Sequence, residues 1–141
     1  MILADVNVLV YAHREDLPQY EAFAAWLGGE IESGRSLALC DASLAGFLRI
    51  VTNGRIFAHP TPLDVALRSI EELREQPAAS HIGPGSRHWG IFSDLCTTVG
   101  ARGNDVPDAY LAALAIESGS ELITADRGFG RFPGLRWSSP V

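Results

Sequence analysis

Apolar residues follow two rhythms along this chain. Short unbroken runs, read as buried strands, alternate with stretches in which apolar side chains recur every three or four positions, the period of a half-buried helix. Residues 1–4 read as a first strand and 6–12 as a short helix. Leu17-Pro18 opens a helix to about Ser33, with Tyr20, Phe23, Ala24, Leu27 and Ile31 on one face and Gly34 as its stop. Residues 36–40 are a second strand, and Asp41 is placed to cap a helix carrying Leu44, Phe47, Leu48 and Val51, ended by Asn53-Gly54. Thr61-Pro62 starts a helix whose buried stripe is Leu63, Ala66, Leu67, Ile70 and Leu73. Residues 80–82 form a short strand, Gly83-Pro84-Gly85 a turn, and 86–99 a helix. After a loop at 100–104 come a helix at 106–118, a strand at 121–124 and an edge strand at 135–137. This alternation predicts an α/β domain in which helices cover both faces of a central, mostly parallel sheet.

Composition narrows the setting. With 141 residues, 47% of them hydrophobic, and no repeat, low-complexity tract or linker, residues 1–141 read as a single domain with a sizeable core. No run approaches the ~20 apolar residues of a membrane span, and the N-terminus reads directly as a strand rather than a basic leader. The expectation is a cytoplasmic protein without a membrane partner, in which Cys40 and Cys96 are reduced thiols in apolar surroundings. The four histidines, His13, His59, His81 and His88, are scattered and give no zinc spacing. A formal net charge of −6 is not the usual basic footprint of a nucleic-acid binder, although acids gathered at one site are compatible with a cationic surface elsewhere. All eleven basic residues are arginine, so chemistries that require a lysine are excluded.

Three aspartates carry the chemical argument. Asp5 ends the first apolar run, where it reads either as the N-cap of the following helix or as a carboxylate at the ligand-binding edge of a parallel sheet. Asp108 shares a helical face with Leu111, Ala112 and Ala115, which points it toward the protein; a carboxylate so placed needs hydrogen bonds, a cation or a raised pKa. Its alternative is stabilisation of the helix N-terminus, and Asp105 is the natural N-cap there. Asp126 follows an apolar run as Asp5 does, and by itself is also a common turn residue. In a doubly wound sheet Asp5, Asp108 and Asp126 can converge on one crevice, where crowded carboxylates favour a hard divalent cation such as Mg²⁺ or Mn²⁺. Asn7, two residues past Asp5, is an auxiliary candidate for orienting a ligand or water.

These residues carry a resemblance. Asp5-Val6-Asn7-Val8-Leu9-Val10-Tyr11, the stretch from Leu44 to Asn53, Pro107-Asp108-Ala109 with Leu111-Ala112-Ala113-Leu114-Ala115, and Thr124-Ala125-Asp126-Arg127-Gly128-Phe129 are similar to PIN-domain proteins, specifically VapC-type toxin ribonucleases of toxin–antitoxin modules. The closing Phe132-Pro133-Gly134-Leu135-Arg136-Trp137 resembles their mycobacterial-type branch. The resemblance implies a three-layer α/β/α sandwich, Mg²⁺-dependent endoribonuclease activity, a cognate VapB-like antitoxin and a homodimer. It also implies that Asp5, Asp108 and Asp126 match three of the family's four acidic positions. The family commonly has a glutamate where the register puts Gly46 here, and Asp105 and Asp41 are reserve candidates for the missing acid.

The expected mechanism is metal-assisted phosphodiester hydrolysis, with Asp5 and Asp108 on the ion, Asp126 binding through water or completing a second site, and a lowered-pKa water attacking in line. Arg49, Arg87, Arg127 and Arg131 are candidates for holding RNA phosphates. The alternative is a catalytically weakened PIN-like module that binds RNA or protein, motivated by Gly46. Receiver-type and haloacid-dehalogenase-type phosphoryl transfer also use aspartates at strand ends, but they need a lysine and the latter an Asp-x-Asp pair, both absent here.

Overall fold

The structure is a computed structural model describing residues 1–141. Five short strands, β1 (Ile2–Ala4), β2 (Leu37–Leu39), β3 (Ala79–His81), β4 (Glu121–Ile123) and β5 (Trp137–Ser138), form one sheet. Their order is β3-β2-β1-β4-β5 and every neighbouring pair is parallel. Six helices lie between them: α1 (Val6–His13), α2 (Tyr20–Ser33), α3 (Asp41–Val51), α4 (Leu63–Arg74), α5 (His88–Val99) and α6 (Asp105–Ser118). No helix is long and apolar enough to cross a membrane.

The period-two alternation of the strands creates the layers. Ile2, Ala4, Leu37, Leu39 and Ile123 face a core completed by α1 to α4, while Leu3, Ala38, Cys40 and Leu122 face a second core completed by α5 and α6. Burying each large side chain of these cores, such as Ile2, Leu3 or Leu114, removes apolar area worth about 1.5–3 kcal/mol. In α6, Ala109, Ala112, Ala113 and Ala115 are fully covered, so small side chains let this helix approach the sheet closely.

Several local expectations change. The second helix begins at Tyr20 rather than Leu17, because Leu17 N and Tyr20 N donate to Arg14 O and Leu17 O in successive turns before the helix starts. Asp41 does not cap α3: it lies inside the first turn, after Cys40 at the cap position. Asp105 likewise lies within the first turn of α6, with Asn104 before it, so neither acid makes the capping hydrogen bond expected of it. On α4 only Ala66 and Ile70 are buried, whereas Leu63 and Leu67 stay at the surface. This outermost helix uses a narrow stripe against the core, and the rest of its apolar pattern has nothing above it.

The 52–61 loop is fixed to the end of α1 by Arg14. Its Nη1 donates to His59 O (2.8 Å) and Thr61 Oγ1 (3.2 Å), its Nε and Nη2 to the two oxygens of Asp16 (2.9 and 2.5 Å), and its guanidinium lies 4.0 Å over the Phe57 ring.

Candidate active site

Strand order reverses direction at β1. The chain builds outward from β1 to β2 and β3, then returns to place β4 on the other side of β1. The gap beyond the carboxyl ends of β1 and β4 is therefore the topological switch point, where α/β sheets bind ligands. Asp5 and Asp126 follow these two strands, and Asp108 heads the helix that leads into β4.

A buried hydroxyl joins the two strand ends. Thr124 Oγ1 donates to Asp5 Oδ2 (2.8 Å) and accepts from the Asp126 backbone N–H (3.0 Å) and Asn7 Nδ2 (3.4 Å). Asn7 Oδ1 accepts from Ala125 N–H (3.3 Å), so the first turn of α1 is tied to the end of β4 twice. Asp5 Oδ1 also accepts from Val6 N–H at 2.7 Å, which makes it the N-cap of α1 while it stands at the carboxyl end of β1. Asp126 Oδ1 accepts from Gly128 N–H (2.8 Å) and caps the 3-10 turn at Arg127–Arg131. Thr124 carries little signal in the sequence: a hydroxyl at the end of an apolar run, two residues before an acid.

Arg131 binds the third acid. Its Nη2 lies 3.1 Å from both Asp108 Oδ2 and Asp105 Oδ1, its Nη1 donates to Gly128 O, and its guanidinium is 4.4 Å over the Phe132 ring. Asp105 is thus brought to Asp108. Asp41 is not: it is 91% exposed and faces His81 at 3.9 Å. Among the other arginines, Arg127 is exposed beside Asp126 and Arg49 is exposed in the last turn of α3. Arg87 belongs to a loop held by Glu117, near the opposite end of α6 from Asp108; the Glu117 carboxylate accepts from Gly85 N–H (2.7 Å) and Arg87 N–H (3.0 Å). Gly46 packs on the residue next to Asp5, and a Cβ there would stand 3.0 Å from Val6 Cγ2.

The acids sense one another. Burial pushes the Asp5 carboxyl above its ordinary range; the Thr124 and Val6 hydrogen bonds pull it down, and the charges of Asp108 and Asp126 push it up again, for a net rise. Burial raises Asp108 too; the hydrogen bond and charge of Arg131 pull it down, Asp126 and Asp105 push it up again, and the net change is a rise. As the side chains lie, each acid engages a protein donor and no group of three or more metal-ligating side chains is gathered on one point. Their chemistry nevertheless fits a divalent ion. All are hard oxygen donors, their mutual repulsion favours a cation, and no protein donor reaches Asp108 Oδ1 or Asp126 Oδ2.

Comparison with known proteins places this arrangement in context. A family model described as PIN domain matches residues 2–135. The VapC ribonuclease Mb2897 of Mycobacterium bovis is 45% identical over 141 residues, covering 100% of this chain and 96% of that protein. Ribonuclease VapC25 of Mycobacterium tuberculosis is 36% identical over 140 residues, covering 99% of each. Among solved structures, VapBC2 from Rickettsia felis bound to a promoter DNA fragment aligns with a TM-score of 0.73 at 18% identity, over 99% of this chain and 98% of that one. At that identity the likeness concerns the fold.

Proposed function

From the premise that this chain belongs to the PIN-domain family, among the VapC ribonucleases, we propose that it is a toxin endoribonuclease that cuts RNA at the acidic edge of β1 and β4. Asp5, Asp108 and Asp126 would hold a divalent ion, Mg²⁺ or Mn²⁺, with Asp105 beside them. Such an ion, when bound, supplies Lewis acidity toward a phosphoryl oxygen and makes water a nucleophile at neutral pH. The observation that carries the assignment is the coupling of the acids. Carboxylates from three separate parts of the chain meet at the switch point of the sheet, where the charges of Asp108 and Asp126 add to the rise that burial gives Asp5.

The chain's own residues supply positioning. Thr124 and Val6 fix both oxygens of Asp5, so its remaining lone pairs keep a defined direction. Asn7 holds the β4 end in register with α1, which keeps Asp126 level with Asp5. Arg127, exposed next to Asp126, is the arginine best placed to meet a phosphate, whereas Arg49 lies in the last turn of α3 and Arg87 in the loop held by Glu117.

A VapB-like antitoxin is the expected partner. The crowded carboxylates and the net charge of −6 favour a basic segment, whose arginine would compete with the metal. A homodimer and a cytoplasmic setting complete the reading. A second reading, a weakened binding module, is favoured by one observation: Gly46 supplies no carboxylate next to Val6.

One experiment separates them. Metal-free protein is titrated with Mn²⁺ by calorimetry, and cleavage of a mixed RNA substrate is followed with and without Mg²⁺, for the wild type and for Asp108→Asn. Mn²⁺ binding and metal-dependent cleavage that are both lost in the variant support the enzyme. RNA binding without metal binding or cleavage supports the inert module.

A further inference from the structure

We infer that Arg131 is an internal counter-ion of the site, which holds Asp105 and Asp108 while no divalent ion is present, leaves Asp108 when one binds, and so sets the metal affinity. The inference rests on the proposed role of Asp108 as a ligand.

Three observations carry it. First, Arg131 is the cation paired with the site acids, and one nitrogen, Nη2, serves both Asp105 and Asp108 at 3.1 Å. A shared single donor is a weaker hold than the two-pronged fork an arginine can give one carboxylate. Second, the pair is open to water: the side chains of Arg131 and Asp108 are each 32% exposed and that of Asp105 41%. Solvent-screened pairs of this kind are readily exchanged. Third, the guanidinium has a resting place that does not depend on the acids. It lies over Phe132 and donates through Nη1 to Gly128 O, so it can release Asp108 without losing its position.

Gly128 makes this arrangement possible. A Cβ there would stand 2.9 Å from Asp126 Oδ1 and 3.0 Å from Arg131 Nη1. The residue is therefore a bare backbone between an acid of the site and its arginine, and any side chain would push one of them away. In charge terms the exchange favours the metal. One positive charge shared by two carboxylates gives way to two positive charges near the same group.

The test is a calorimetric Mn²⁺ titration of the metal-free full chain in four forms: wild type, Arg131→Gln, Arg131→Lys and Arg127→Gln, with circular dichroism to check folding. Arg131→Gln should bind Mn²⁺ roughly three- to fivefold more tightly, the upper range for the one solvent-screened ion pair that the metal displaces. Arg131→Lys, which keeps the charge, should stay within about twofold of the wild type, as should Arg127→Gln, which removes a neighbouring charge that holds no acid. Unchanged or weaker binding in Arg131→Gln overturns the inference while leaving the ligand assignment standing. An equal gain in Arg127→Gln also overturns it, because the effect would then be a general field. If neither the wild type nor Arg131→Gln binds Mn²⁺, both the inference and the assignment of Asp108 fall.

Discussion

Arg14 and Arg131 make the same three kinds of contact, yet they build two different things. Each lies over a phenylalanine ring, each donates to a backbone carbonyl and each is paired with aspartate. Arg14 is 7% exposed, spends its fork on both oxygens of one carboxylate and adds Thr61, so its donors are committed inside the fold. Arg131 divides a single nitrogen between two acids at a solvent-exposed edge. Burial and bidentate geometry turn the first into a clamp between α1 and the 52–61 loop. Exposure and shared geometry leave the second free to exchange.

The largest expected effect sharpens the contrast on the site side. Asp108→Asn should lower metal-dependent RNA cleavage by at least about 100-fold with the circular dichroism spectrum unchanged, since a lost charged ligand removes several kcal/mol of transition-state stabilisation. Asp16→Asn, the matching change at the clamp, should leave cleavage within about twofold, because Asp16 stands outside the acid group. Comparable losses in the two variants would break the comparison.

Next in size is the clamp itself. Arg14→Ala leaves the His59 carbonyl and Thr61 hydroxyl without their buried donor and uncovers Phe57, a loss of about 2 kcal/mol. Chemical denaturation should show it as a lower midpoint with unchanged slope, while Arg131→Gln lowers the stability by no more than about 1 kcal/mol. Asp105→Ala comes third. It should slow cleavage by roughly three- to tenfold, as expected of a group that supports a ligand rather than being one. Steady-state assays at saturating Mg²⁺ decide this, and a loss as deep as that of Asp108→Asn would promote Asp105 to a ligand.

Two smaller effects concern pH. The Asp5 carboxyl is raised, first by burial, so its charged form works against the metal-free fold. That penalty is absent below the ordinary value of 3.8 and grows as pH rises through the folded value. Asp5→Asn should therefore raise the melting temperature in EDTA at pH 7 by a few degrees, with the gain vanishing toward pH 4 and below. His13 is shifted the other way, lowered by burial and then by the charge of Arg14. Its contribution to stability is full above the ordinary 6.5 and is lost as pH falls through that value toward the folded one. Melting curves between pH 7 and 5 should show this decline in the wild type and a flatter profile in His13→Gln.

The parallel sheet and its helices were legible because period two and period 3.6 are written directly in the apolar residues, and the placing of the three acids because Asp5 and Asp126 each end an apolar run and Asp108 heads an apolar helical face. What stayed hidden depended on partners far away in sequence. Thr124 reads as an ordinary strand residue until β4 pairs with β1 and brings Asp5 to its hydroxyl. Arg131 reads as one of four candidates for an RNA phosphate until the 3-10 turn brings it to Asp105 and Asp108. Periodicity on α4 identified a face but not how much of it would be covered, so Leu63 and Leu67 read as core although they lie at the surface. Cap assignments at Asp41 and Asp105 failed by one residue, the distance at which a helix start is decided by φ and ψ rather than by composition.

Gly46 couples two positions of the chain that a carboxylate placed there would have to change together. A glutamate introduced there alone meets Val6 Cγ2 at 3.0 Å from its first carbon, so the valine or the helix must yield before the carboxylate can be used. Trimming Val6 to alanine alone clears the room but forfeits packing worth about 1 kcal/mol beside Asp5. The two positions, 40 residues apart in the chain, are therefore coupled (46 against 6), and the double variant Val6→Ala with Gly46→Glu makes the room and supplies the carboxylate at once.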